Sequence, residues 1–253
     1  DDPWRLSRLR WLDSRLRLDT TLVAPYTPVR VRAGRRGPTL RVLGRELSLA
    51  PTGLPAQVTS FFTEEMTAIG SRGRPLLAAP IVFVAEQAGG RRLEWRGDGV
   101  RVTRSLPGAA LWEATSHAGA LAMHTTAQLD FDGNIEYTIA VTAGAPTALT
   151  DLRLEIPFRR DVARYFMGLN HKGGAAPASY DWQWNVKRNQ DAAWIGDVNA
   201  GLQFTLTDEH YIRPLNTNFY QLRPLVMPTS WDNGGKGGCR FRAEDAAYRA
   251  TCY

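Results

Sequence analysis

The stretch that decides the fold is LAMHTTAQLDFDGNIEYTIAVT, residues 121–142. Two runs in it, Leu121 to Leu129 and Ile135 to Thr142, alternate apolar and polar side chains, which is the pattern of half-buried β-strands. Between them stands Asp132-Gly133-Asn134, whose residue types readily adopt the positive φ angles of a tight turn. The segment therefore predicts an antiparallel β-hairpin.

The same period of two recurs along most of the chain. It predicts further strands at Val23 to Ala33, Leu40 to Leu49, Ala56 to Phe62, Pro80 to Gln87, Arg91 to Trp95, Val100 to Ser105, Ala110 to His117, Leu149 to Phe158 and Gly201 to Thr207. Helical spacing occurs only at Trp4 to Leu18 and around Asp161 to Met167. Many strands without long helices favour an antiparallel sandwich. We therefore predict an all-β fold, one large antiparallel two-sheet supersandwich with few short helices, spanning 1–253 with a lead-in at 1–19.

Composition and charge exclude two classes of partner. The chain has 253 residues, 43% of them hydrophobic, which is enough for a sizeable core. No apolar run approaches the roughly 18 residues that span a bilayer, so no membrane partner is predicted. The net charge of +6 lies entirely in residues 1–60, and residues 61–253 are neutral overall. Because no basic stripe is interleaved with aromatic residues, a solvated arginine-rich edge is favoured over nucleic-acid binding.

The two cysteines stand at the ends of a predicted hairpin. With a turn centred on Asp245 and Ala246, Phe241 opposes Ala250 and Cys239 opposes Cys252. A disulfide is then geometrically possible, as expected in a secreted or extracytoplasmic protein. Two reduced, buried thiols are the alternative.

Two segments, 180–199 and 230–238, mix tryptophan with amide and carboxylate side chains. Indole rings stack on the apolar face of a pyranose, while Asp and Asn hydrogen-bond to its hydroxyls. The alternative is that the tryptophans belong to the core and the Asx residues cap turns. We predict that these segments are loops near one end of the sheets, and that the carbohydrate-binding residues are Trp182, Trp184, Asn185, Asn189, Asp191, Trp194, Asp197, Asn199 and Trp231.

The sequence offers no convincing catalytic group. The adjacent acidic pairs at 64–65 and 208–209 would point to opposite faces of a strand. The four histidines show neither H-x-x-x-H nor H-E-x-x-H spacing, and there is no C-x-x-C pair. We therefore predict no catalytic residue, no metal site and no cofactor.

Several motifs resemble a known family. They are LRVLGR at 40–45 with GLPAQ at 53–57, YFMG at 165–168, WQW at 182–184, and the run from NQD at 189–191 to WIGDVNAGL at 194–202. Together they resemble the N-terminal β-sandwich of bacterial proteins related to glycoside hydrolase family 123. The resemblance implies a galactose-mutarotase-like supersandwich in front of a (β/α)₈ barrel. It also implies β-N-acetylgalactosaminidase activity, whose Asp-Glu pair belongs to the barrel.

Two functions therefore compete. The first is a noncatalytic, carbohydrate-associated domain of a secreted bacterial glycoside hydrolase, whose partners are a carbohydrate and a C-terminal catalytic domain of the same polypeptide. The second is a self-contained sugar-active enzyme, mutarotase-like or lyase-like, which needs a His or Tyr close to a Glu or Asp over a concave sheet.

Overall fold

The computed structural model describes residues 21–35, 37–185, 190–212 and 226–253. The predicted lead-in at 1–19, the helical pattern at Trp4 to Leu18 and the candidate residue Asn189 lie outside them. The described residues form 18 strands and a few 3₁₀ turns, and they include no α-helix. All-β is thus the correct class. The strands belong to four separate sheets, in which every pair of neighbours is antiparallel.

The first and second sheets are meanders, in which each strand pairs with its neighbours in sequence. The first sheet contains β1 (Arg30–Arg32), β2 (Thr39–Val42), β3 (Arg45–Leu49), β4 (Pro55–Phe62) and β5 (Ile69–Pro75). The second contains β8 (Arg96–Ser105), β9 (Ala109–Ala118), β10 (Leu121–Asp130) and β11 (Ile135–Ala143).

The third and fourth sheets bring together strands that are distant in sequence. The third has the order β14-β17-β18-β12-β6-β7. Its strands are β6 (Val82–Gln87), β7 (Arg91–Arg92), β12 (Asp151–Arg159), β14 (Ser179–Gln183), β17 (Gly238–Ala243) and β18 (Ala247–Cys252). The fourth has the order β13-β15-β16, with β13 (Tyr165–Gly168), β15 (Ala192–Asp197) and β16 (Ala200–Thr205).

This arrangement is a four-bladed β-propeller, so the predicted large supersandwich of the galactose-mutarotase-like type is wrong. The error has a physical cause. Alternation of apolar and polar residues shows that a strand has one buried face, but two large sheets and four small ones give the same alternation. The division into four depends on which strands pair, and that was not visible in the sequence.

Two large apolar clusters hold the sheets together. One is shared by the first and second sheets and includes Leu40, Leu49 and Trp112. The other is shared by the third and fourth sheets and includes Phe158 and Phe166. Burial of such side chains supplies about 1.5–3 kcal/mol each, which is the main driving force for packing one sheet on another.

The two predicted hairpins are confirmed. In the first, Leu129 pairs with Ile135, and the turn contains Gly133 at a φ of 91°. In the second, Phe241 pairs with Ala250 and Cys239 pairs with Cys252. The helical interpretation of Asp161 to Met167 is wrong, because this segment is a turn followed by strand β13.

Candidate functional site

Three of the predicted carbohydrate-binding tryptophans lie at the core. Trp182 is buried, with 7% of its surface exposed, and Trp184 packs against it with a ring-centroid distance of 4.7 Å. Trp231 also packs against this core, and its indole Nε1 donates a hydrogen bond to the Thr207 carbonyl. Trp182 thus follows the core alternative, and Trp184 and Trp231 are partly buried against the same core. The strand β14 also replaces the loop predicted around Trp182.

The predicted polar residues that the structure describes do not converge on one site. Asn185 is exposed just after β14. Asp191 accepts a hydrogen bond from the Tyr211 hydroxyl. Asp197 and Asn199 lie at the turn between β15 and β16, where Arg74 of the first sheet donates to both at 2.9 and 2.7 Å. This last contact ties the first sheet to the fourth.

Asp197 is held as an anion. Burial raises its pKa, but the Val198 backbone N–H and the guanidinium of Arg74 outweigh burial, and the pKa lies below its ordinary value. Arg164 adds a weaker attraction from 3.5 Å. A carboxylate with two arginine partners serves to fix the turn between β15 and β16.

The fourth sheet presents one face to the core and the other to solvent. Phe166 and Ile195 are buried in the core, and Phe204 packs against it. Because side chains alternate along a strand, the residues between them occupy the opposite face. That face, called the Trp194 face below, carries Tyr165, Met167, Trp194, Gly196, Gly201 and Gln203.

Trp194 occupies the space that two glycines leave on this face. Gly196 pairs with Gly201 across β15 and β16. A Cβ on Gly201 would lie 2.7 to 2.8 Å from three indole atoms, and one on Gly196 would lie 2.8 Å from indole Cζ2. Only glycine at both positions therefore lets the indole rest directly on the backbone. Trp194 itself is partly exposed.

The indole is flanked by two exposed side chains. Met167 pairs directly with Trp194 and is 53% exposed, while Tyr165 pairs with Gly196 and is 38% exposed. On the other side, Gln203 pairs with Trp194 and supplies an amide. The Trp194 face thus combines apolar ring surface with hydrogen-bonding groups at its edge, which is what binding of a pyranose requires.

Sequence reasoning named Trp194 and missed its neighbours. It treated 189–199 as a loop, whereas 192–197 is strand β15. The signal was present in YFMG at 165–168, where the alternation of a strand places Tyr165 and Met167 on one face and Phe166 on the other.

The most buried carboxylate of the third sheet is also paired with arginines. Glu155, 3% exposed, accepts hydrogen bonds from Arg92, Arg153 and Arg249 at 3.3, 3.0 and 2.9 Å. Three guanidinium groups thus share this one carboxylate. Glu155 is therefore a structural ion-pair centre.

Three further carboxyls have lowered pKa values. The side-chain hydrogen bond from Arg242 lowers the pKa of Asp181, and that from Arg249 lowers the pKa of Glu244. For Asp208, burial raises the pKa, but backbone N–H donors at Ser230 and His210 outweigh it. A general acid in glycoside hydrolysis needs a raised pKa, so these groups are the opposite of what that role requires.

The cysteines face each other inside the third sheet. Gly238 and Tyr253 exchange both backbone hydrogen bonds, at 3.4 and 2.9 Å. Cys239 and Cys252 therefore form the adjoining non-hydrogen-bonded pair, in which side chains approach most closely. Both are buried thiols, and burial, followed by a hydrogen bond to Cys252, raises the pKa of Cys239. The disulfide stays a prediction.

The described residues contain neither a metal-binding cluster nor a membrane-spanning helix. Within 21–35, 37–185, 190–212 and 226–253, there is no group of three His, Cys, Asp or Glu side chains that could hold a metal ion. The same ranges contain no helix with the length and apolar character needed to cross a membrane.

Residues 34–253 match the family model described as glycoside hydrolase 123, third domain. The chain belongs to glycoside hydrolase family 123. The family inferred from the sequence motifs is thus confirmed, and membership of a glycoside hydrolase family indicates interaction with carbohydrate. No curated protein matches the chain.

Proposed function

We propose that this chain is a noncatalytic domain of a family 123 glycoside hydrolase that binds carbohydrate on the Trp194 face. The observation that carries the proposal is the indole of partly exposed Trp194, which lies against the backbone of Gly196 and Gly201 on the sheet face turned away from the core. Exposed Tyr165 and Met167 extend this surface. A sugar ring lying on the indole would bury apolar surface that is otherwise in contact with water.

The noncatalytic role is supported by the state of the carboxyls. Hydrolysis of a glycosidic bond needs one carboxyl that donates a proton and a second group that acts from the other side of the sugar. The pKa values of Asp181, Asp197, Asp208 and Glu244 are all lowered, and Glu155 is surrounded by arginines. The four carboxyls with lowered pKa values accept hydrogen bonds in their ionised form and are poor proton donors at neutral pH.

The position of the domain in its parent enzyme is part of the same proposal. We place it beside a catalytic barrel of the same polypeptide, in a secreted bacterial enzyme. The motif resemblance supports the barrel, and the cross-strand position of Cys239 and Cys252 suits an oxidising compartment.

The sugar-binding proposal is tested by calorimetric titration with a neutral disaccharide that carries a terminal β-N-acetylgalactosamine. Trp194→Ala should weaken binding about two- to tenfold, since stacking on an aromatic ring contributes about 0.5–1.5 kcal/mol. Gly201→Ala should weaken it similarly, because the added Cβ displaces the indole.

The matched control is Gly70→Ala on β5, where a Cβ meets nothing closer than 3.8 Å. It makes the same chemical change away from the Trp194 face and should leave affinity unchanged. Circular dichroism checks that all variants are folded. Unchanged affinity in a folded Trp194→Ala protein would refute the binding site. Turnover of an aryl β-N-acetylgalactosaminide by residues 1–253, abolished by one Glu, Asp or His substitution, would refute the noncatalytic role and favour the self-contained enzyme.

A further inference from the structure

A cleft lies next to the Trp194 face. It is shallow and open to solvent, with a volume of about 410 Å³. It is lined by Arg160, Ala163, Arg164, Tyr165, Ala175 and Ala176. Because Tyr165 also belongs to the Trp194 face, one ligand can contact both the cleft and the indole.

The cleft has an excess of positive charge. Among the described residues no carboxylate pairs with Arg160, and Arg164 shares Asp197, at 3.5 Å, with Arg74, which lies closer at 2.9 Å. The neighbouring carboxylate of Asp161 pairs with Arg159. In the described part of the chain, no acidic residue lines the cleft, so its two guanidinium groups are incompletely neutralised.

Both arginines are carried by a well-anchored turn. The backbone N–H groups of Val162 and Ala163 donate to the Arg159 carbonyl, and both side chains are buried. The Arg160 backbone N–H donates to Ala246 across the sheet. Buried apolar side chains on one side of the turn leave the arginine side chains, which are exposed, on the other.

The guanidinium groups also contact aromatic rings. The Cζ of Arg160 lies 5.9 Å from the ring centroid of buried Tyr248, and that of Arg164 lies 5.6 Å from the ring of Tyr165. Burial raises the pKa of Tyr248 to about 12, and the charge of Arg160 acts in the opposite direction. Cation–π attraction favours these placements and leaves the N–H donors available to an anion.

We propose that this cleft binds an anionic substituent, a carboxylate or a sulfate ester, of a glycan whose adjoining ring lies on the Trp194 face. The inference rests on the proposed function and extends it to the class of glycan. Arginine is suited to this role because its planar N–H groups match the paired oxygens of carboxylate and sulfate. The separation of roles is chemical: the indole binds a neutral ring, and the arginines bind the charge.

The test titrates the chain with three probes: chondroitin 6-sulfate hexasaccharide, the desulfated hexasaccharide that retains its carboxylates, and the neutral disaccharide used above. Arg160→Gln and Arg164→Gln should each weaken the charged probes about fivefold, the upper range for an exposed ion pair, and leave the neutral probe unchanged. Arg104→Gln, an exposed arginine of β8 in the second sheet, removes the same charge elsewhere and is the control.

The outcomes separate the two proposals. If the cleft variants lose affinity for the sulfated probe alone, the cleft binds sulfate. If they lose affinity equally for the desulfated probe, the cleft binds carboxylate. Affinities that change no more in the cleft variants than in Arg104→Gln overturn the anion site, even if Trp194→Ala abolishes neutral binding. Dependence on the cleft arginines without dependence on Trp194 overturns the proposed sugar platform alone. Failure of the wild-type chain to bind any probe overturns both.

Discussion

Oxidation of the Cys239 and Cys252 thiols to a disulfide should stabilise this protein. The two residues form a non-hydrogen-bonded cross-strand pair, a position in which Cα atoms are about 4.5 Å apart. That separation falls within the range of about 4.4–6.8 Å seen for disulfides. The bond can therefore form without moving the strands.

The size of the effect follows from the loop that the bond closes. Residues 239–252 form a loop of 14 residues, and the chain-entropy model gives about 3 kcal/mol for its closure in the unfolded state. For a protein of this size, each kcal/mol shifts the melting temperature by about 2–4 °C. The oxidised form should therefore melt about 6–12 °C above the reduced form.

The assay compares protein refolded in oxidised glutathione with the same protein after reduction, by scanning calorimetry. Mass spectrometry verifies the bond, and Cys252→Ala provides a control whose melting should not depend on reductant. Trp182 pairs with Cys239, so quenching of its fluorescence should accompany oxidation. A verified disulfide with an unchanged or lower melting temperature would refute the entropic argument, and failure of the folded chain to form the bond would refute the register.

Three further predictions concern stability. Glu155→Gln should cost about 1–3 kcal/mol in denaturant unfolding, because it weakens three hydrogen bonds to a buried carboxylate while Arg153 keeps Glu86 and Asp151 as partners. Glu113→Gln at an exposed pair should cost less than about 1 kcal/mol, and equal costs would contradict this prediction. Because the folded-state pKa of Asp197 lies below its unfolded value, its contribution is present above about pH 4 and lost as pH falls through the folded pKa. In Asp197→Asn, the free energy of unfolding should therefore fall less steeply as the pH is lowered into the acid range. An unchanged pH dependence would count against the Arg74 contact. Gly168→Ala should cost about 3 kcal/mol or more, because Gly168 has a φ of 107° and an added Cβ would lie 2.1 Å from a backbone oxygen. Gly119→Ala, where the added Cβ meets open space, should cost about 1–2 kcal/mol. Similar melting temperatures of the two variants would contradict this difference and show that the β13 backbone moves to accommodate the Cβ.

Local pairing could be predicted from the sequence, and global arrangement could not. The register of 239–252 followed from turn residues and alternation, because a hairpin involves only neighbouring residues. The third sheet instead requires β12 to pair with β18 and β6, which are distant in sequence. The alternation of residues along a strand does not indicate which distant strand it pairs with. The supersandwich prediction was wrong for this reason.

The candidate site shows the same division. Trp182 and Trp194 both lie in the segment that mixes tryptophan with amide and carboxylate side chains, so the sequence alone makes them look equivalent. Packing of the third sheet on the fourth buries Trp182, whereas Trp194 lies on the opposite face of β15. Gly196 and Gly201 were the visible clue, because small residues facing each other across two strands leave room for a ring.

The most direct test of the Trp194 face is an NMR titration of the indole N–H signals with the neutral β-N-acetylgalactosamine disaccharide. The chain has eight tryptophans, and Trp194→Phe and Trp182→Phe assign the two signals that matter. We predict that the Trp194 signal shifts in a saturable manner, while that of buried Trp182 stays in place. A saturable shift of Trp182 with an unchanged Trp194 signal would contradict the account.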